Sequence, residues 1–488
     1  MSKLPKKPSV SREDVRVVYA QGEEAVIALV EGLWQRITSL ETRLEALEDR
    51  QHKDSHNSSK PPSSDGFKRR TKSLRTKSER ASGGQSGHPG STLEWVEQVD
   101  GVEQHRVCQC VGCGASLQEV AVAEWELRQV HDLEPPRLKV MEHQAEVKCC
   151  PHCQRLNRGT FPADVNSIVQ YGAGVKGLMV YLLEYQLLPF ERVTQMLADV
   201  FNCKISEGTL YNSRERCFEQ LAGVESQIKE GMQHAAVGNF DETGMQINGK
   251  LWWLHVASND GLTYYFVHAK RGSLAMDEMN ILPQFKGISV HDGWSSYAQY
   301  KCDHALCNAH HLRELCFISE RYQQVWAEQM IALLIELKAQ VEQSHVQGNT
   351  ALPAQTIQQF ESRYQILIAT GLAANPPQSY PESPKSRGRP KQSPAKNLLD
   401  RLQRHQAEVL AFMYDFRVPF DNNQAERDLR MMKLKQKISG GFRSLAGAQI
   451  FCRIRGYIST LKKQGRNVLD ALRQVFMEVP FLPTLQPE

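Results

Sequence analysis

Asp241 in NFDETG, Asp292 in SVHDGW and Glu426 in NNQAERDLR are the side chains whose type and setting could do chemistry. Each stands where the surrounding pattern predicts a strand or an exposed helix face. No Ser, Cys or His stands beside them as a nucleophile with its own base. Carboxylates alone suit a hard cation, because Mg²⁺ prefers oxygen ligands and keeps several waters. Two such ions, close together, can activate a water or a 3′-hydroxyl and stabilise the leaving oxygen of an in-line displacement at phosphorus. Converging anions without a cation would repel one another. Metal-held phosphoryl transfer is the chemistry these residues imply, and three ordinary surface acids are the plain alternative.

Such a site needs a sheet and a helix to hold it. VGNFDETGMQI, KLWWLHVAS and LTYYFVHAK are strand-like runs joined by Asn248-Gly249 and Asn259-Asp260-Gly261, strong hairpin signals. They predict a three-stranded antiparallel meander. A helix at about 273–282, a strand GISVHD, a helix near 294–300, a strand HALCNA and a helix from HHLRELCFI follow. That order is the order of a ribonuclease-H-like domain. Asp241 then lies in the middle of the first strand and Asp292 at the end of the fourth, where adjacent parallel strands bring both carboxylates to one sheet edge. The stretch from Asp292 to Glu426 is too long to be a bare loop in a compact domain, so it reads as a helical insertion.

Glu426 is expected on a helix after Pro419 and the N-cap region Asp421-Asn422-Asn423. Arg430, Lys433 and Lys437 follow it at spacings that share one helix face, aimed at phosphates. Glu242 should point to the opposite strand face and takes no ligand role. His291, His310 and His311 read as structural hydrogen-bonding groups, with a phosphate contact left open. Cys302, Cys307 and Cys316 lack knuckle spacing and read as buried thiols.

Six of the 12 cysteines lie between positions 108 and 153. Cys110-Val-Gly-Cys113 and Cys150-Pro-His-Cys153 are two CxxC knuckles, and four thiolates suit a closed structural Zn²⁺ site. The stretches AEWELRQVHDL and LKVMEHQAEVK between them read as strands of a zinc-ribbon-like module. Cys108, Cys149, His105 and His152 are rival ligands. Upstream, Val26, Val30, Leu33, Ile37, Leu40, Leu44 and Leu47 form a heptad seam with largely β-branched a and Leu-rich d positions, favouring a parallel two-stranded coil over an amphipathic helix packed on its own domain. Between residues 167 and 222, PFERVTQMLADVF, the turn NCKIS and a helix capped by Ser206 have helix-turn-helix order, which would turn Thr209, Tyr211, Asn212 and Arg214 toward DNA. A plain helical hairpin is the rival reading.

Net charge is only +4 with pI about 8.4, yet segments 66–80, 385–391 and 427–437 are densely basic, enough to meet a phosphate backbone locally. Arg387 and Arg389, in RGRP, suit a narrow minor groove. No run reaches the length of a membrane span and the N-terminus has no signal-peptide core, which predicts a cytoplasmic protein without a membrane partner.

The fold expected is multidomain α+β: a coiled-coil helix (20–50), a basic flexible linker (51–92), a zinc-binding module (100–160), a helical DNA-binding region (167–222), a ribonuclease-H-like core (235–316), a helical insertion (317–417) with a mobile basic loop (372–397), the core helix carrying the third acid (418–465) and a C-terminal segment (466–488). HNSSKPPSSDG after a zipper helix, the two knuckles, DET, HDGWSSY, CNAHHLREL and VPFDNNQAERDLRMMKLKQKISGGFRS together resemble transposases of the insertion-sequence-66 family over nearly the whole chain.

The resemblance implies an Asp-Asp-Glu recombinase with Asp241, Asp292 and Glu426 as its triad and Lys433 as the basic residue two turns on. It implies two catalytic Mg²⁺, with Mn²⁺ an acceptable substitute, beside structural Zn²⁺. It implies double-stranded DNA as partner, at element ends and target, and a homodimer or higher assembly associated with the bacterial nucleoid. Small accessory proteins of the same element serve some members and not others. Cys108, crowding the first knuckle, departs from the pattern. Rival functions are a DNA-binding protein derived from a transposase, a structure-specific nuclease of the same fold, and a zinc-containing scaffold.

Overall fold

The computed structural model of this chain describes residues 11–58, 93–162, 164–377 and 392–485. Arg387, Arg389 and the basic segment 66–80 lie outside the described residues. The chain divides into two units, one comprising Met1–Lys72, Thr160–Val193 and Ser206–Glu488, the other Ser73–Gly159 and Thr194–Ile205. Among the described residues no helix is long and apolar enough to cross a membrane.

Helix α1 (Arg12–Ala20) begins at a capping box, in which Ser11 Oγ accepts the Asp14 N–H and Asp14 accepts the Ser11 N–H. Helix α2 (Glu23–His52) then runs 30 residues without a buried side chain. Its seam residues Val30, Leu33, Ile37, Leu40, Leu44 and Leu47 remain 39–58% exposed, so this chain alone does not cover them.

In the cysteine-rich segment, β1 (Val147–Cys149) and β2 (Leu156–Arg158) form a short antiparallel hairpin closed by the second knuckle. The strands expected between the knuckles are absent among the described residues until Val147. The physical reason is that no residue from 93 to 159 is buried. With no apolar face to align strands, a ladder forms only where the knuckle itself folds the chain back.

The remaining elements belong chiefly to the larger unit. Helix α3 (Ala173–Val180) passes into a π-helical turn (Tyr181–Tyr185), followed by α4 (Phe190–Phe201), α5 (Glu207–Gln220) and α6 (Ala222–Gln233). Ser206 caps α5 as its type predicts, Oγ accepting the Thr209 N–H at 3.2 Å. Then come β3 (Val237–Ile247), β4 (Lys250–Ser258), β5 (Thr263–His268), α7 (Ser273–Met279), β6 (Ile288–His291), β7 (Asp303–Leu306) and α8 (Asn308–Tyr322). The helix expected near 294–300 shrinks to a single 3₁₀ turn, Tyr297–Gln299.

The five strands form one mixed sheet in the order β5-β4-β3-β6-β7. The β5–β4 and β4–β3 pairings are antiparallel; β3–β6 and β6–β7 are parallel. Both hairpin turns follow from their sequences. Asn248 and Gly249 take φ of +48° and +71°, the left-handed pair that a two-residue turn between twisted strands requires. Asn259 Oδ1 accepts the N–H groups of Gly261 (2.9 Å) and Leu262 (2.7 Å), closing the second.

Helices α9 (Val325–Val346), α10 (Ala354–Ala374), α11 (Pro394–Arg404), α12 (Gln406–Val409) and α13 (Ala411–Tyr414) share an apolar cluster with α8, β6 and β7, centred on Leu315, Leu334, Tyr364 and Leu399. Helices α14 (Asn423–Ser439), α15 (Leu445–Lys463) and α16 (Val468–Phe476) close the fold. One sheet face, through Phe240, Ala257 and Tyr264, packs on α6, α15 and α16; the other, through Met245, Leu254 and Val256, receives α14.

Candidate active site

Parallel pairing sets the first two acids. Val237–Asn239 of β3 lie in register with Ile288–Val290 of β6. Asp241, two residues beyond that pairing, and Asp292, directly after β6, therefore emerge toward the same end of the sheet. Asp241 Oδ1 accepts the Glu242 N–H at 2.8 Å, and Asp292 Oδ1 accepts the Trp294 N–H at 2.9 Å.

Glu426 arrives on α14. Ala425, Leu429 and Met432, at i, i+4 and i+7, bury one stripe of that helix against Met245, Leu254 and Val256, leaving Glu426 half-buried in its first turn. The helix start is fixed by Asn422, which is 1% exposed. Its side chain donates to the Phe240 carbonyl (2.8 Å) and accepts from Asn239 Nδ2 (2.9 Å), while its N–H donates to Cys307 Sγ (3.1 Å). One asparagine thus ties α14 to β3 and to the β7–α8 junction. Within the expected cap region Asp421 Oδ1 accepts the Asn423 N–H at 3.0 Å, while Asn422 makes no side-chain cap bond and acts as a tertiary staple.

The second acid of the motif, Asp428, has a different task. It accepts Lys463 Nζ (2.9 Å), Ser459 Oγ (3.1 Å), Thr263 Oγ1 (3.3 Å) and Gln424 Nε2 (3.1 Å), and its carbonyl accepts Tyr265 Oη (2.8 Å). This buried ion pair pins α14 to β5 and α15. Beyond the helix, Phe442 exchanges backbone bonds of 2.8 Å with Gln246 and Asn248. Gly441 makes that approach possible, because a Cβ there would sit 2.6 Å from the Gln246 carbonyl oxygen.

The acids act on one another. Burial first, then the charge of Glu242, and further Asp292 and Glu426, hold the Asp241 carboxyl well above the usual carboxylate range. A set of oxygen donors that resists sharing negative charge is what a hard cation relieves, so the residues present fit Mg²⁺. The three carboxylates share this field without closing to a common ligand point. Among the described residues the one cluster of three metal-ligating side chains within 4.8 Å is Cys307, His310 and Glu426.

Cys307 is the buried thiol that the sequence predicts, but its meeting with His310 and Glu426 is what sequence reasoning missed. Cys307 is buried, and burial pushes its thiol up to about 12 despite the donated N–H of Asn422. His310 is pulled below its ordinary value by burial and then Arg313, against the opposing pull of Glu426 and Asp292. Its Nδ1 is buried without a hydrogen-bond partner among the described residues. The signal available was their spacing at the N-terminus of a helix directly after a strand. The other histidines are structural in their contacts: His291 meets His304 at 3.0 Å and the Gly293 N–H at 3.0 Å, and His311 meets Asn308 at 3.2 Å.

Glu242 is not a free carboxylate. It accepts Tyr297 Oη (2.6 Å) and both Arg271 Nε (2.8 Å) and Nη2 (2.7 Å). Arg430 and Lys437 are exposed on α14, whereas Lys433 donates to the Gly244 carbonyl at 2.9 Å and is thereby tied to β3. Arg214 requires a correction. It is 6% exposed, ion-paired to buried Glu184 and set 5.5 Å from the Phe190 ring, so it faces the interior and is not presented to DNA. Helix α5 buries its Leu210–Cys217 stripe, which includes Arg214, and leaves Tyr211 and Asn212 exposed.

In the cysteine-rich unit each knuckle folds by itself. The Gly114 N–H donates to the Cys110 carbonyl (2.9 Å) and the Gln154 N–H to the Cys150 carbonyl (2.8 Å). Backbone N–H groups of Cys113 and Gly112 lower the Cys110 thiol, and those of Cys153 and His152 lower Cys150. Cys110, Cys113, Cys150 and Cys153 are not brought together into one four-sulfur cluster. In a segment without buried residues, nothing in the chain itself draws the two turns to one point.

The family model Transposase IS66 family matches residues 169–450, and the chain belongs to that family. That span contains all three acids, the sheet and α14. A second model, a family of unknown function (DUF6444), matches residues 11–94, which hold α1 and α2. No curated protein matches the chain.

Proposed function

We propose that this transposase cuts and joins DNA by metal-dependent phosphoryl transfer, with Asp241, Asp292 and Glu426 as its catalytic acids. The observation that carries the reading is convergence: two strands paired in parallel and a helix packed across them bring three carboxylates, far apart in sequence, into one electrostatic field. The strand order, three antiparallel then two parallel, supports a ribonuclease-H-like core. Two Mg²⁺ held by these acids would neutralise them and the charge that develops on the scissile phosphate, with Mn²⁺ able to substitute.

The chain's own residues do the rest. Asn422 and Asp428 hold α14 so that Glu426 faces the sheet end. Arg430 and Lys437, exposed on the same helix, offer positive charge to the flanking phosphates of a double-stranded DNA substrate. Lys433 supports that helix through the Gly244 carbonyl and is a weaker candidate for a phosphate contact. The hydroxyl freed at an element end would then attack target DNA in a second transfer of the same kind.

The test is cleavage of supercoiled DNA carrying the element's two ends, in Mg²⁺. Breaks that map to the ends and leave 3′-hydroxyls are the expected result. Breaks unrelated to the ends would favour a structure-specific nuclease, and end binding without any break a DNA-binding protein that has lost its catalysis.

Two further parts of the reading rest on separate observations. The exposed seam of α2 supports pairing of two chains, because a 30-residue helix with that stripe uncovered gains most by burying it against a second copy. Leu40→Asp is expected to convert a dimer to a monomer in sedimentation equilibrium; an unchanged mass would remove the coil from the assembly. The acidified thiols of Cys110 and Cys150 support Zn²⁺ as the agent that gathers the two knuckles. Cys110→Ser is expected to release about one zinc per chain and weaken binding to element ends, and metal content equal to wild type would reject that ligand set.

A further inference from the structure

A cleft of about 840 Å³ opens beside the second acid, between the Asp292 turn and the polar face of α11. One wall is Gly293, Trp294 and Leu306; the other is Asn397, Arg401 and Arg404, which recur at helical spacing opposite the buried Leu398 and Leu402. Its size lies within the roughly 300–1,000 Å³ of clefts that enclose a small ligand.

The charges of the lining are unevenly committed. Asp400 is ion-paired with Lys396 and Arg401 with Glu314 at 2.7 Å, and a Glu408 carboxylate oxygen lies 2.7 Å from His405 Nδ1. Arg404 is exposed and has no ion-pair partner among the described residues. Trp294 is held from two directions. Its backbone N–H donates to Asp292 Oδ1, and the Arg271 guanidinium, anchored on Glu242, lies 4.3 Å from its ring. An indole lining the same cleft as an unpaired guanidinium and a carboxamide is a combination suited to a base and its phosphate.

We propose that this cleft receives one unpaired nucleotide of the DNA strand lying at the acids, its base on Trp294 and its phosphate toward Arg404. A paired base hides its faces in the duplex stack, whereas an unpaired one exposes them to an aromatic side chain. The cleft rests on the catalytic reading above only for its choice of strand; its chemistry is its own. Because Trp294 and Asp292 share one turn, a nucleotide seated there would set the register of the strand at the acids.

The experiment uses the full chain and fluorescence anisotropy in Ca²⁺, comparing a blunt end duplex with the same duplex carrying unpaired nucleotides at the cut position. Wild type is expected to prefer the unpaired substrate by roughly tenfold. Trp294→Ala and Arg404→Ala should each bring the two affinities close to parity, while Trp294→Phe, which keeps a ring, retains most of the preference. Equal binding by wild type, or a preference that survives both alanine variants, overturns the proposal. Displacement of the unpaired substrate by a free deoxynucleoside monophosphate at equal concentration would make the cleft a free-nucleotide site and overturn the assignment to the strand. Wild-type cleavage in Mg²⁺ is measured alongside. Cleavage without the preference removes the cleft and leaves the catalytic reading standing. A preference lost in the variants, in a protein that never cleaves, supports the cleft and removes the catalysis.

Discussion

Glu426→Gln is expected to lower cleavage of supercoiled end DNA by about three orders of magnitude or more while leaving affinity for the ends within about twofold. The exchange keeps size and removes only the charge. Glu426 is half-buried at the start of α14 and makes no side-chain hydrogen bond among the described contacts, so nothing structural is lost with it. Asp241→Asn and Asp292→Asn should behave alike, with one difference that the structure supplies. Burial and the neighbouring charges disfavour the ionised form of Asp241, so its neutralisation should raise the melting temperature slightly while abolishing cleavage. A variant that still cuts at wild-type rate would remove that acid from the site. Loss of end binding in all three variants would instead make the acids structural.

Asp428→Ala, only two positions away, should do the opposite. It removes the counter-charge of Lys463, whose ammonium burial already draws below its ordinary value and which keeps only the Asn259 and Leu262 carbonyls, and it takes one acceptor each from Ser459, Thr263 and Gln424. Removing one partner of a buried ion pair costs about 3–5 kcal/mol, a large part of the ordinary stability of a domain. Denaturant melts should show that loss, and catalysis should fall only as folded protein falls. The double variant Asp428→Asn with Lys463→Met leaves no buried charge and should recover much of the stability, which a melt no better than the single variant would refute. Two acids in one short motif are thus separated by a measurement: one affects rate at constant stability, the other stability first.

The contrast shows what kind of fact a sequence carries. NNQAERDLR predicts a basic amphipathic helix with two acids, and helical spacing alone cannot say which of them faces the sheet end and which faces Lys463. That is settled by which stripe, Ala425-Leu429-Met432, the sheet buries. Arg214 shows the same limit. A basic residue on a capped helix reads as a DNA contact until Glu184, buried thirty positions upstream, claims it. Cys307 reads as a buried thiol and is one, but only the fold sets its sulfur against Asn422 and within reach of Glu426. The strands expected between the knuckles show a third limit: they had β-like composition but no buried face to align them.

What the chain determined by itself is what local chemistry can enforce. Asn-Gly fixed a left-handed turn, Ser206 fixed a helix start, and alternating apolar runs fixed the strands, because each depends on neighbours a few positions away. Membership of a transposase family is legible for a related reason, since motifs such as HDGW and NNQAER are short and contiguous. Only the tertiary structure decided the roles of individual charged residues. A carboxylate's work depends on its burial and on the charge nearest to it, and for Asp241, Asp428 and Glu242 those neighbours come from elements distant in sequence. Their pairing follows from strand register and helix packing, which no local spacing encodes.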